Sequence, residues 1–137
     1  MKRRDARVVA FQLTYEMVIT GKFNPDTRDD LLENVDDSDS INYINSVLEG
    51  ISAHLDELKT IIATYAKGYE YDRIYKTDLA VLLLACYEIL YTSTPRAVVA
   101  NEAVEIAKAY SDTKSHAYIN GILASVIKGA GGNGDVN

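Results

Sequence analysis

The side chains able to do chemistry gather at two places in this chain, and their types suit the holding of a polyanion better than catalysis. One is the run Lys114-Ser115-His116-Ala117-Tyr118-Ile119-Asn120-Gly121. Lysine brings a cation, serine and asparagine bring hydrogen-bonding groups, and histidine and tyrosine bring flat rings that stack on bases. With Ser115 as a helix cap, the first backbone N–H groups behind it are unpaired, and the helix dipole favours an anion there. The same residues also read as an ordinary cap with a hydrogen-bonded histidine. A glycine inside a helix costs about 1 kcal/mol relative to alanine, so Gly121 implies a close helix crossing first and ligand contact second.

The other place is the N-terminus, where Lys2, Arg3, Arg4 and Arg7 face Asp5 alone. Arginine suits phosphate because its planar fork donates two parallel hydrogen bonds. On a wheel of about 100° per residue, Arg4, Val8, Phe11 and Tyr15 share a face with Arg7 beside them. Ala6, Val9, Ala10, Leu13 and Met17 share the opposite face. One apolar stripe is enough for a surface helix. The second either packs between layers or offers guanidinium groups to phosphates and Tyr15 to a base.

Nothing else in the chain arranges itself for catalysis. There is no glycine-rich phosphate loop, no Cys/His metal spacing and no Ser/His/Asp set, so no catalytic residue, metal or cofactor is expected. His54 reads as structural or solvated, and Cys86, in an apolar run, as a buried inert thiol. Glu102, Glu105 and Lys108 at helical spacing read as a solvated face with a Glu105–Lys108 pair.

The elements that must position these groups are helices, because 3.6-residue periodicity dominates and no alternation is sustained. A first helix covers about residues 3–19 and stops at Thr20-Gly21. Asn24-Pro25 opens a second, with Asp26 or Thr27 as its cap and Leu31, Leu32 and Val35 as its apolar side. A long third stripe runs from Ile41 to Tyr65, bending near residues 50–52 and ending at Lys67-Gly68. A fourth helix starts at Asp72 or Thr77 and carries the apolar run 79–86 until Thr92-Ser93-Thr94-Pro95 ends it. A fifth covers about residues 97–110 and a sixth about 115–128. The expected fold is a single all-α domain over residues 1–128. Residues 129–137, with four glycines, are expected to be a disordered tail.

Composition sets the limits. The 137 residues suit one core, and the net charge of −6 argues against a generic nucleic-acid binder. The charge is uneven, however. Residues 26–39 hold Asp26, Asp29, Asp30, Glu33, Asp36, Asp37 and Asp39 against Arg28 alone, a solvated surface that would confine RNA to the basic end. No apolar run approaches the roughly 20 residues that span a bilayer. The N-terminus lacks a secretory apolar core, and a single cysteine suits the cytoplasm.

Taken together, these motifs resemble the NusB family of transcription antitermination factors. The arginine-rich start with Gln12 and Tyr15 carries the resemblance, as do the stretch 80–90 with its Tyr87-Glu88 pair and Asn101-Glu102-Ala103. Ala107-Lys108, Ser115-His116 and Asn120-Gly121 follow in the family's order. The resemblance implies about six to seven helices in two packed subdomains and no enzymatic activity. It also implies binding of the boxA element of nascent RNA with the ribosomal protein NusE, so that RNA polymerase reads through terminators, notably in ribosomal RNA operons. By position it puts Arg3, Arg4, Arg7, Tyr15, Lys114, Ser115, His116 and Tyr118 on the RNA face, and Asp78 opposite NusE. Leu83 stands where arginine is common in the family. Lys114 replaces an often acidic or neutral residue and should add about 1 kcal/mol or less of phosphate attraction. The tyrosines at 65, 69, 71 and 75 default to core and junction packing. Two rival readings are the NusB-like module of an RNA cytosine methyltransferase and a helical homodimeric adaptor that uses the second apolar face of the first helix.

Overall fold

A computed structural model describes residues 1–68, 70–112 and 114–130. The expected disordered tail starts at Gly129, but Gly129 is the last residue of a helix and Ala130 its C-cap, while residues 131–137 and the placement of Tyr69 lie outside the described residues. Among the described residues seven α-helices follow one another: α1 (Arg3–Thr20), α2 (Pro25–Leu32), α3 (Ser38–Ala53), α4 (Leu55–Tyr65), α5 (Lys76–Tyr91), α6 (Arg96–Tyr110) and α7 (Ser115–Gly129). A single 3₁₀ turn, Tyr71–Arg73, precedes α5. No strand forms among the described residues, and no helix there is long and apolar enough to cross a membrane.

The apolar run 79–86 explains the architecture. A helix apolar on all sides has no face for water, so α5 becomes the axis, and α1, α3, α4, α6 and α7 pack around it. Leu82, Leu83, Leu84 and Cys86 are among its buried residues, and burial pushes the Cys86 thiol up to about 12. The α4, α6 and α7 helices gather on α5 as one group. A smaller cluster of Ala6, Leu13, Ile44 and Leu48 joins α1 to α3, with Leu32 of α2 at its edge. These are the two packed subdomains, and α1 lies along both.

The local signals act mostly as read. Gly21, at φ 93°, ends α1 with its N–H on the Met17 carbonyl at 2.7 Å. The cap of α2 is Asn24, with Pro25 behind it and the Asp26 N–H on its side chain, and not Asp26 or Thr27. Leu31 of its apolar side stays exposed, and Asp37 caps α3 through the Ser40 N–H. The long third stripe is two helices, broken at His54 rather than at 50–52. Both keep one apolar stripe because Ile51, Leu58 and Ile62 all face the core. The glycine expectation moves too. Gly121 is exposed with open space around it, so it marks no crossing and nothing in its surroundings explains it. The crossing is at Gly50, where an added Cβ would sit 2.2 Å from the Tyr87 ring.

Candidate nucleic-acid interface

The first turns of α1 build a layered charge cluster. Arg7 is buried, and its fork donates to Glu88 at 2.8 and 3.0 Å. The Tyr43 hydroxyl donates to the same carboxylate at 2.6 Å. Burial works against the Arg7 charge, but the hydrogen bonds and charge of Glu88 outweigh it, and the guanidinium is held above its ordinary pKa. Burial and Glu88 likewise push the Tyr43 phenol up. Above this layer Arg4 makes a fork of 3.0 and 2.7 Å onto Glu102, and the Arg4 hydrogen bond holds that carboxyl below its usual range. Arg3 lies 4.0 Å over the Tyr43 ring and reaches Asp39 at 3.1 Å.

Two expectations change here. Arg7 cannot present its fork to phosphate, because Glu88 already fills it in a buried site; it is the post on which the outer arginines stand. Glu102 is not part of a solvated face but the carboxylate that aims Arg4, whose own side chain remains 62% exposed. The Glu105–Lys108 pair does form, at 3.5 Å. In front of Arg3 and Arg4 opens a hollow of about 550 Å³, closed on the far side by Ser93, Thr94 and Val98.

Further along the same face of α1 the chemistry turns aromatic. The Phe11 ring is buried, 5.3 Å from the Tyr110 ring and 6.5 Å from Tyr15. Tyr15 and Tyr110 are the exposed walls of a hollow of about 260 Å³ that also includes Gln12 and Thr77. The second apolar face of α1 is thus divided: Phe11 packs inward and Tyr15 stays at the surface.

Next to it is a third hollow, of about 330 Å³, between Arg73 and Tyr75 on one side and Lys114 and Tyr118 on the other. Asp78 forms its floor. This carboxylate is buried and accepts from the hydroxyls of Ser111 and of Ser115, the latter at 2.9 Å. Ser115 is therefore the first residue of α7, not its cap; Lys114 occupies the cap position without a side-chain hydrogen bond. Asp112 sets the turn by accepting the Lys114 N–H on its side chain and the Ser115 N–H on its carbonyl, both at 3.0 Å. The Ser115 hydroxyl points inward, which removes it as a direct RNA contact. The buried Asp78 pins α7 to α5 from the floor of the hollow. Lys114 is exposed, Tyr118 is half-buried in the hollow wall, and His116 is half-exposed but lines neither hollow.

The structure joins what the sequence left as two patches. The bridge is Thr77-Asp78 at the start of α5 and the stretch 110–112 at the end of α6, which border the aromatic and the Lys114 hollows together. Tyr110 was missed because it stands four residues after Ile106 and reads as one more core position. Tyr75, 67% exposed, does not take the packing role that fits the half-buried Tyr65 and Tyr71.

The NusB family model matches residues 4–128 of this chain. The transcription antitermination protein NusB of Finegoldia magna is 40% identical, with 93% of this chain and 95% of that protein covered. That of Listeria monocytogenes serotype 4a is 37% identical, covering 92% and 96%. Among solved structures, T. maritima NusB superposes with a TM-score of 0.86 at 27% identity, covering 93% of this chain and 92% of that one. A chain in a crystal structure of antitermination factors NusB and NusE in complex with dsRNA has the same fold, with a TM-score of 0.84 at 24% identity, covering 93% and 96%.

Proposed function

The chain belongs to the NusB family, and from that premise we propose that it is a transcription antitermination factor holding boxA-type single-stranded RNA together with NusE. The observation that carries this reading is the continuous face along α1, the start of α5 and the α6–α7 turn. Cations stand at its two ends, Arg3 and Arg4 at one and Lys114 at the other, with Tyr15 and Tyr110 between them. Cations for phosphates and rings for bases are the parts from which single-strand binding is built. Arg4 to Tyr15 alone spans about 16 Å of helix at 1.5 Å per residue.

Each element has a role in this reading. Glu102 and Arg7 position the outer arginines, and Asp78 fixes the Lys114 turn. Tyr15, Tyr110 and Tyr118 supply ring faces, and His116 stands at the margin. NusE adds the surface that an acidic body lacks, at the hollow floored by Asp78 and rimmed by the exposed Tyr75. Held this way, the RNA is brought to RNA polymerase for terminator read-through, notably in ribosomal RNA operons. The test is a pair of variants, Arg4→Glu and Tyr110→Ala, titrated with a boxA oligonucleotide. Each should weaken binding while leaving the far-ultraviolet circular dichroism unchanged. Full affinity in both would place the RNA elsewhere on the molecule.

A further inference from the structure

Arg3 stands at the arginine hollow on a seat built by α1 and α3 together. Arg3 and Arg7 are four residues apart on α1, and Asp39 and Tyr43 are four apart on α3. Residues at that spacing are neighbours on one helix face, so each helix turns one such pair toward the other. The Tyr43 ring meets both arginines, 4.0 Å from the guanidinium carbon of Arg3 and 5.7 Å from that of Arg7. Both distances lie within the range at which a ring face attracts a cation.

Tyr43 is the anchored member of this group. Its half-buried ring packs against both apolar clusters, the one around α5 and the one that joins α1 to α3. Its hydroxyl donates to Glu88 at 2.6 Å, and burial favours the protonated, donating phenol. Arg3 is the solvent-side member, its side chain 42% exposed.

A guanidinium is planar, so a ring takes up its flat side while its N–H donors point outward in the plane. Asp39 accepts one of those donors, from Nη2 of Arg3 at 3.1 Å, and its own side chain is 88% exposed. An ion pair so open to water contributes little, and a phosphate can take the place of the carboxylate. Arg7 and Arg4 differ, because each already spends a two-pronged fork on a glutamate. We propose that Tyr43 is a positioning residue of the RNA site: its ring seats the Arg3 guanidinium so that the open edge meets an RNA phosphate in competition with Asp39. The role rests on the RNA-binding reading of this face.

The experiment measures boxA affinity against salt for the full chain and its variants. Tyr43→Phe keeps the ring and drops the hydroxyl, while Tyr43→Leu drops both. Tyr43→Leu should weaken binding about two- to fivefold. It should also make the salt slope shallower by about 0.7, the share of one phosphate contact. Tyr43→Phe should restore both quantities. In an Arg3→Ala background, Tyr43→Leu should cause no further loss. Asp39→Asn tests the same seat without touching the core, and it should tighten binding about twofold. Equal weakening by Tyr43→Phe and Tyr43→Leu would trace the effect to the Glu88 hydrogen bond and overturn the proposal. So would a Tyr43→Leu loss that persists without Arg3, or an Asp39→Asn variant that binds no more tightly. Failure of the underlying reading has a different signature: the unmodified chain then does not bind boxA, and the role of Tyr43 falls with it.

Discussion

Three arginines that look equivalent in the chain have two different duties, Arg7 as a buried post and Arg3 and Arg4 as outer cations. Arg7 and Glu88 form a buried forked pair, and removing one partner of such a pair leaves the other charged and unsatisfied. Arg7→Ala should therefore lose about 3–5 kcal/mol of stability in urea denaturation. Arg4→Ala removes the fork on Glu102 and should lower the urea midpoint far less than Arg7→Ala, while weakening RNA binding. Tyr110→Ala should cost on the order of tenfold in RNA affinity, given about 1–3 kcal/mol for each base stacked on a ring. Glu102 supplies a pH signature. Its folded pKa is held below the ordinary 4.5, so its contribution is fully present above that value and is lost as pH falls through the folded value. Stability should decline below about pH 4.5, and Glu102→Gln should flatten that decline in thermal melts taken across pH 3–6.

The helices themselves were legible, because each obeys a period that its own residues set. The apolar run 79–86 announced a central helix, Gly21 and Pro25 announced two boundaries, and all three stand where expected. The relation between helices was not legible. That Arg7 turns in and Arg4 out depends on Glu88 and Glu102, 81 and 98 positions away. The Ser115 hydroxyl is claimed by Asp78, 37 positions earlier, a link that no local pattern records. His54 could not be read as a break because the apolar stripe continues through it. There its ring stacks on Tyr91 at 3.9 Å, and the Tyr91 hydroxyl donates to Glu57, which pushes the phenol up to about 12. Two substitutions test this scale. Gly50→Ala drives a methyl into the Tyr87 ring and should destabilise by about 1–3 kcal/mol, with partial recovery in the Gly50→Ala/Tyr87→Ala pair. Asp78→Ala strips two hydroxyls of their acceptor. It should speed hydrogen exchange at the start of α7 and weaken RNA binding without touching an RNA contact.

At the scale of the molecule, a protein of net charge −6 still offers cations on one face, although Arg3 is shared with Asp39 and Arg4 with Glu102. Arg3, Arg4 and Lys114 stand on one face, while Asp26, Asp29, Asp30 and Glu33 load α2 and the turn after it with carboxylates. With three cations meeting phosphates, the logarithm of affinity should fall against that of salt with a slope of about −2, at roughly 0.7 per contact for single strands. So small an electrostatic contribution makes the chain alone a weak binder and gives NusE its place in the account. The most direct measurement is a titration of a boxA oligonucleotide and a scrambled one, each with the protein alone and with NusE added. Weak, salt-sensitive preference for boxA, strengthened many-fold by NusE, is the expected result. Equal affinity for the two RNAs, unchanged by NusE, would contradict the account.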